Sequence, residues 1–311
     1  MMESLRIVFM GTPDFAVPSL RKLHQAGHTI AAVLTQPDKQ RGRGKQVTFS
    51  PVKELAVSLG IPVFQPVKMK EEETIETIRQ YHPDVIIVIA YGKILPKEIL
   101  DIPRYGCLNV HGSILPKYRG AAPIQWAIHD GEERSGVTIM KLDEGMDTGD
   151  ILATAEVVLA PDETTGSLFD KLASLGADRL LDILADLPAF LQHAVKQDES
   201  QATYTSKIDK DMAHIDWHED AVSIERLMRM LNPQPGAFTL FEGKRLKIWR
   251  GMITSGTEAE PGTIIAVSKK HFTVQTGKDA LMITEVQPES RKRMAAGQFL
   301  QGVSMVEGMQ L

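Results

Sequence analysis

Val85-Ile-Ile-Val-Ile-Ala90 is apolar at every position, with no polar residue interposed. A strand with one wet face alternates apolar and polar residues, so this unbroken run predicts a central parallel strand covered on both faces by helices. That selects an α/β architecture, and the neighbouring sequence supplies its other parts. Residues 5–10 end at Gly11 and precede a helical stretch to about Ala26; residues 29–35, 62–64 and 106–110 read as further strands. Residues 136–142 and 151–159 follow one another without a helix between them, which predicts an antiparallel edge on an otherwise parallel sheet. A long helix is expected from about Thr165 to Leu187, ended by Pro188.

The texture then changes. Residues 192–206 are polar and read as a linker, and a helix at about 220–231 is stopped by Asn232-Pro-Gln-Pro-Gly236. Five short strands with glycine turns follow, at 237–241, 245–252, 262–267, 272–276 and 280–286, a pattern expected of a small closed or partly closed barrel of the oligonucleotide-binding type. The fold expected for the 311 residues is therefore α/β, a doubly wound Rossmann-like mixed sheet followed by a small C-terminal β-barrel. The boundaries are 1–190 for the first domain, 191–207 for a linker and 208–311 for the second.

Composition narrows the function. The single cysteine, Cys107, excludes an intrachain disulfide and a Cys-rich metal centre, and neither a leader nor a membrane span is expected, which points to the cytoplasm. The net charge of −5 is uneven: residues 1–207 hold 22 Lys and Arg against 27 Asp and Glu, whereas residues 208–311 hold 13 of each. In that neutral second part the cations cluster, with Lys244, Arg245, Lys247 and Arg250, then Lys269-Lys270, then Arg291-Lys292-Arg293, which can make one positive face. No heptad or apolar surface stripe demands a partner copy, so a monomer is expected.

The loop after the first strand, Gly11-Thr-Pro-Asp-Phe15, lacks G-x-G-x-x-G, and no G-x-x-x-x-G-K-[ST] occurs, so NAD and ATP are disfavoured. Four cations among the seven residues from Lys39 to Lys45, with two glycines and no acid, suit an encounter with an anionic macromolecule or phosphate. Asn109 and His111 lie two apart at a strand end, so both side chains project from one face at the carboxyl edge, where such sheets place ligands. An amide donor beside an imidazole suits acyl-type transfer through a tetrahedral oxyanion. The loop 142–150 carries four carboxylates, one of which can hold the His111 tautomer or act as a base; spacing leaves Asp143, Asp147 and Asp150 open. His214 and His218 have no third ligand, and no metal is expected.

Asn109-x-His111-Gly-Ser-Ile-Leu-Pro-x-Tyr-Arg-Gly-Ala-Ala-Pro-Ile-Gln125, followed by Gly136-Val-Thr-Ile-Met140 and Asp147-Thr-Gly-Asp150, resembles the folate-dependent formyltransferase family. The opening Gly11-Thr-Pro-Asp-Phe15, Gln36-Pro-Asp, Gly42-Arg-Gly-Lys45 and Ile215-Asp-Trp217 extend the likeness along the chain; Asn232-Pro-Gln-Pro235 departs from it where an aromatic is usual. The resemblance implies transfer of a formyl group from 10-formyltetrahydrofolate to the α-amino group of methionine on initiator methionyl-tRNA, with no metal. It implies Asn109, His111 and Asp147 as the catalytic set. Ser113, Ile114, Leu115 and Pro116, with Val88, Ala90 and Tyr91, would wall the folate, and Arg41, Arg43 and Lys45, with Lys244, Arg245 and Lys247, would meet the tRNA. The alternatives are transfer to a small amine, on a sugar nucleotide or glycinamide ribonucleotide, and hydrolysis of the formylfolate. An RNA-binding protein without activity would have no reason to keep the catalytic set.

Overall fold

The structure, a computed structural model, describes residues 4–41 and 46–311. It opens with β1 (Arg6–Gly11), buried at five of its six positions, and α1 (Val17–Gln25), whose first turn takes Pro18 because that turn needs no N–H there. β2 (Thr29–Leu34) leads to a short antiparallel ribbon, β3 (Lys39–Arg41) and β4 (Gln46–Thr48), then to α2 (Pro51–Ser58) and β5 (Val63–Phe64). The cationic stretch expected as a loop thus starts in a paired strand, β3, and its remaining residues, 42–45, lie outside the described residues. Next come α3 (Glu72–Gln80), β6 (Val85–Ile89), α4 (Lys97–Leu100), β7 (Cys107–His111), β8 (Arg119–Gly120) and α5 (Pro123–His129). β9 (Arg134–Lys141), β10 (Ile151–Val158), α6 (Thr165–Ala185), α7 (Leu187–Gln192) and β11 (Tyr204–Thr205) complete this part.

Seven strands form one mixed sheet in the order β10-β9-β7-β6-β1-β2-β5. β1 pairs in parallel with β2 and β6, β6 with β7, and the antiparallel pairs are β7–β9 and β9–β10. The chain leaves β1 toward β2 and comes back to its other side at β6, so the crevice of a doubly wound sheet opens at the carboxyl ends of β1 and β6, next to β7. β6 is buried at all five positions, as its sequence requires. On one face Val8, Met10, Leu34, Ile86 and Val88 form a core with Ile78 of α3 and Ile99 of α4. On the other, α6 passes so close to β7 that a Cβ at Gly176 would stand 2.7 Å from a Val110 methyl carbon.

Two local expectations change. The helix expected to stop at Pro188 stops at Ala185, and Asp186 caps α7 with Pro188 in its first turn, so the proline begins a helix rather than ending one. The polar stretch 191–207 holds β11, which pairs in parallel with β8 through Tyr204↔Arg119 and Thr205↔Gly120. By contacts the chain divides into two units: Met1–Pro123, Arg134–Val158 and Phe169–Thr205 make one, and Ile124–Glu133, Leu159–Leu168 and Ser206–Leu311 the other.

In the second unit, α8 (Ala221–Met230) is capped by Asp220, whose carboxylate accepts from the Ser223 amide at 2.6 Å. β12 (Phe238–Phe241), β13 (Lys244–Thr254), β14 (Ile264–Val267), β15 (Phe272–Gln275) and β16 (Ala280–Pro288) follow, then β17 (Met294–Ala295) and α9 (Ala296–Leu300). They build a curled antiparallel half-barrel in the order β12-β13-β16-β15-β14, with β17 on β16 and Ile248, Phe272, Val274, Ile283 and Val286 inside. β17 and α9 escape the sequence reading because the basic run before them hides a short signal. Arg293 of that run is committed internally: it forks onto Glu285 at 2.7 Å twice and lies 4.9 Å over the Trp249 ring.

His28 supplies a pH test of the first unit. Its Nδ1 accepts from the Leu5 amide at 3.2 Å, so the proton is on the buried Nε2, which has no partner among the described residues. Burial lowers the pKa of the ring. The folded protein then binds fewer protons here than the unfolded chain, so this contribution is present above the unfolded value of about 6.5 and is lost as pH falls through the lowered folded value. Urea denaturation at pH 7.5 and 5.5 is expected to show the wild type losing stability across that interval and His28→Gln losing less. Equal losses in the two proteins would rule the assignment out.

Candidate active site

β7 carries Asn109 between Val88 of β6 and Met140 of β9, and ends at His111, paired with Thr138. The amide of Asn109 is partly exposed and makes no hydrogen bond with another described residue. The His111 ring is 7 % exposed, with Nε2 2.9 Å from the Tyr118 carbonyl oxygen. A carbonyl only accepts, so Nε2 carries a hydrogen and donates it. Nδ1 therefore faces Oδ2 of Asp147, at 3.7 Å. The same oxygen accepts the Gly120 amide at 2.8 Å.

The fold separates the acids that spacing left open. Asp143 uses its carboxylate locally, accepting from the Gly145 amide at 2.9 Å and the Thr148 hydroxyl at 2.6 Å. Asp150 gives its carbonyl to the Lys141 amide at 2.9 Å. Asp147 reaches His111 from a left-handed backbone, φ 56°, which Asp tolerates better than most residues. At Gly149 the loop crosses Lys141 so closely that a Cβ would stand 1.7 Å from its carbonyl oxygen.

The turn after His111 is clamped to the sheet. The Thr138 hydroxyl donates to the Ser113 carbonyl at 2.7 Å and accepts from the Leu115 amide at 3.0 Å, and the Ser113 hydroxyl donates to the Lys117 carbonyl at 2.7 Å. Ser113, Leu115, Val88 and Tyr91 are buried, Ile114 and Pro116 half-buried, and Ala90 exposed. The Tyr91 hydroxyl meets the Met69 sulfur at 3.3 Å, and burial pushes its pKa up. The backbone turns at Ala90, φ 47°, and Gln36 donates to the Tyr91 carbonyl at 2.8 Å.

Sequence reasoning missed Arg119, Gln197, Glu199 and Tyr204. Arg119 is wholly buried, and its donors reach the Gln197 side-chain oxygen, both carboxylate oxygens of Glu199 and the Tyr204 hydroxyl. The guanidinium holds the Glu199 carboxyl below its usual range. The only clue in the sequence is an arginine before a glycine, with partners some eighty residues away.

Of the cations singled out, Arg41 is placed by its backbone pairing with Gln46, and Arg43 and Lys45 lie outside the described residues. Lys244 and Arg245 are exposed on β13, Arg245 lying 4.7 Å over the Phe238 ring, and Lys247 donates to the Pro235 carbonyl at 2.6 Å. At the base of the ribbon Asp38 pairs with Lys53 and accepts from Gln65, and these bonds lower its pKa. Cys107 is buried, which pushes its thiol up to about 12. Among the described residues no His, Cys, Asp or Glu group is arranged to hold a metal, and no helix is long and apolar enough to cross a membrane.

Residues 5–184 match the formyl transferase family and residues 207–304 the formyl transferase C-terminal domain. The chain is 52 % identical over 305 residues to the methionyl-tRNA formyltransferase of Agathobacter rectalis, with 98 % of each covered. It is 50 % identical over 313 residues to that of Lachnospira eligens, with 99 % of each covered. Among solved structures, HypX from Aquifex aeolicus in complex with tetrahydrofolic acid is similar in fold, with a TM-score of 0.64 and 19 % identity over 96 % of this chain and 47 % of HypX.

Proposed function

The chain belongs to the formyl transferase family, and on that premise we propose that it moves the formyl group of 10-formyltetrahydrofolate to the α-amino group of methionine on initiator methionyl-tRNA, for translation initiation. The observation that carries the reading is the facing pair, His111 Nδ1 and Asp147 Oδ2 at 3.7 Å, two residues along β7 from an Asn109 amide with no described partner. Full-length likeness to proteins named for this reaction supports the acceptor.

An α-amino group titrates at about 7.7–8.0, so a neutral nucleophilic fraction exists near pH 7. Its nitrogen attacks the formyl carbon, the carbonyl pair moves onto oxygen, and the tetrahedral alkoxide re-forms the carbonyl as the bond to the folate nitrogen breaks. The amine loses one proton and the folate nitrogen gains one. Asn109 donates to the alkoxide; the Nε2 hydrogen of His111 stays on the Tyr118 carbonyl, and its protonated ring offers the Nδ1 hydrogen, which at 3.7 Å is not bonded to Asp147, as the second donor and as the acid toward the folate nitrogen. Asp147, facing Nδ1, stabilises the imidazolium charge and relays the amine proton through water. Ala90, Ile114 and Pro116 offer surface to the folate, with Val88, Ser113, Leu115 and Tyr91 behind them. Arg41, Arg43 and Lys45 meet the acceptor stem, and Lys244, Arg245 and Lys247 more distant phosphates, contacts that weaken steeply with salt. The enzyme works as a cytoplasmic monomer, with residues 1–190 transferring the formyl group and 208–311 holding tRNA.

The test is a formyl-transfer assay with initiator methionyl-tRNA beside elongator methionyl-tRNA, free methionine and glycinamide ribonucleotide. Formylation of the initiator alone is expected. Transfer to a small amine, or release of formate with no acceptor formylated, would discard the tRNA reading.

A further inference from the structure

We infer that Gln197 is a positioning residue for formyl transfer: held by the buried Arg119, it fixes the backbone around Asp147 and so aims that carboxylate at His111. The inference rests on the reaction proposed above and concerns residues that the catalytic set does not include.

Gln197 donates from Nε2 to two carbonyls of the acidic loop, those of Asp147 and Gly149, at 2.8 Å each. Its Oε1 accepts from Arg119 Nε at 3.1 Å and Nη2 at 2.9 Å. Carbonyls only accept and a guanidinium only donates, so the amide fits in one orientation, nitrogen toward the loop and oxygen toward Arg119. Arg119 is locked in turn. Its remaining donors go to Glu199 at 2.8 and 2.9 Å and to the Tyr204 hydroxyl at 3.0 Å, so each of the five N–H groups of a guanidinium has an acceptor. The group is wholly buried, and burial of a charge is tolerated only with such pairing.

What this rigid unit grips needs gripping. Asp147 has φ 56°, a conformation that persists in a non-glycine residue when its surroundings over-determine it. Two contacts at the residue do so: Gln197 holds its carbonyl, and the Gly120 amide holds its carboxylate at 2.8 Å. Gly120 follows Arg119 directly and both lie in β8, paired with β11, so one short ribbon anchors the carbonyl and the carboxylate of the same residue. The distance so held, 3.7 Å from Asp147 Oδ2 to His111 Nδ1, is one that a small rotation of the loop would open.

Gln197→Glu separates the two ends of the clamp. The carboxylate still accepts from Arg119, so the buried guanidinium keeps its partner, but it cannot donate to the two loop carbonyls. Glu199→Gln is the control, since it weakens the Arg119 pairing at a mostly exposed carboxylate and leaves the Gln197 amide in place. With purified full-length proteins, kcat and KM for initiator methionyl-tRNA and 10-formyltetrahydrofolate are measured beside the thermal midpoint. For Gln197→Glu, kcat is expected to fall at least tenfold, both KM values to stay within twofold and the midpoint to be kept, with Glu199→Gln within threefold of wild type in kcat. An unchanged kcat in Gln197→Glu overturns the inference. So does a fall in kcat that merely follows a lowered midpoint, or an equal fall in both variants, because either marks a structural role. An inactive wild type would instead remove the proposed reaction.

Discussion

Asn109→Ala is expected to lower the kcat of formyl transfer about 10²–10³-fold, the loss seen when one oxyanion donor is removed, equivalent to about 2.7–4 kcal/mol of transition-state stabilisation. The argument runs through position and partner. The residue sits near the carboxyl end of β7, beside the crevice at the sheet's switch point, and its amide is not engaged by any other described residue. Truncating it leaves no buried group unpaired, so the fold is spared and the effect is confined to an interaction made as charge develops. Steady-state kinetics should show the fall in kcat with little change in KM for 10-formyltetrahydrofolate, and the thermal midpoint should match wild type. Near-full turnover would remove Asn109 from the mechanism.

Asp147→Asn should cost two or more orders of magnitude in kcat, for a different reason. Asparagine tolerates the left-handed backbone at φ 56° better than alanine does, and its side-chain oxygen can still accept the Gly120 amide held at 2.8 Å. What disappears is the negative charge opposite His111 Nδ1 and the ability to take a proton from the attacking amine. Geometry is kept and chemistry removed. If Asp147→Asn retained more than about a tenth of wild-type kcat, relay by this carboxylate would be wrong, since general acid–base groups contribute typically 10²–10⁴-fold. Asp143→Ala is the matched control, because that carboxylate serves the Gly145 and Thr148 turn.

The central strand was legible because burial on both faces leaves only one kind of residue at each of its five positions. Asn109 and His111 were legible as a pair because a strand repeats every two residues. Spacing alone did not choose Asp147, which the family resemblance implied, since three aspartates within eight residues of one loop differ only in where the chain turns. Pro188 misled because the rule that proline stops a helix also lets it start one, and Asp186 supplies the cap. Arg119 and Gln197 were hidden for a deeper reason. Polar composition marks a segment as solvated unless a buried charge elsewhere needs it, and no local pattern reveals a need 78 residues distant.

That separation sets an order of events during synthesis. At roughly 5–20 residues per second, Arg119 leaves the ribosome about 4–16 s before the residues that accept its hydrogen bonds. Until they arrive its guanidinium stays in water, since an unpaired buried charge is disfavoured by about 3–5 kcal/mol. The seven-stranded sheet is complete by Val158, while the ribbon of β8 and β11 must wait for Thr205. A nascent chain released at residue 190 would therefore hold Asn109, His111 and Asp147, the catalytic set proposed above, but not Gln197, which grips the carbonyls of Asp147 and Gly149.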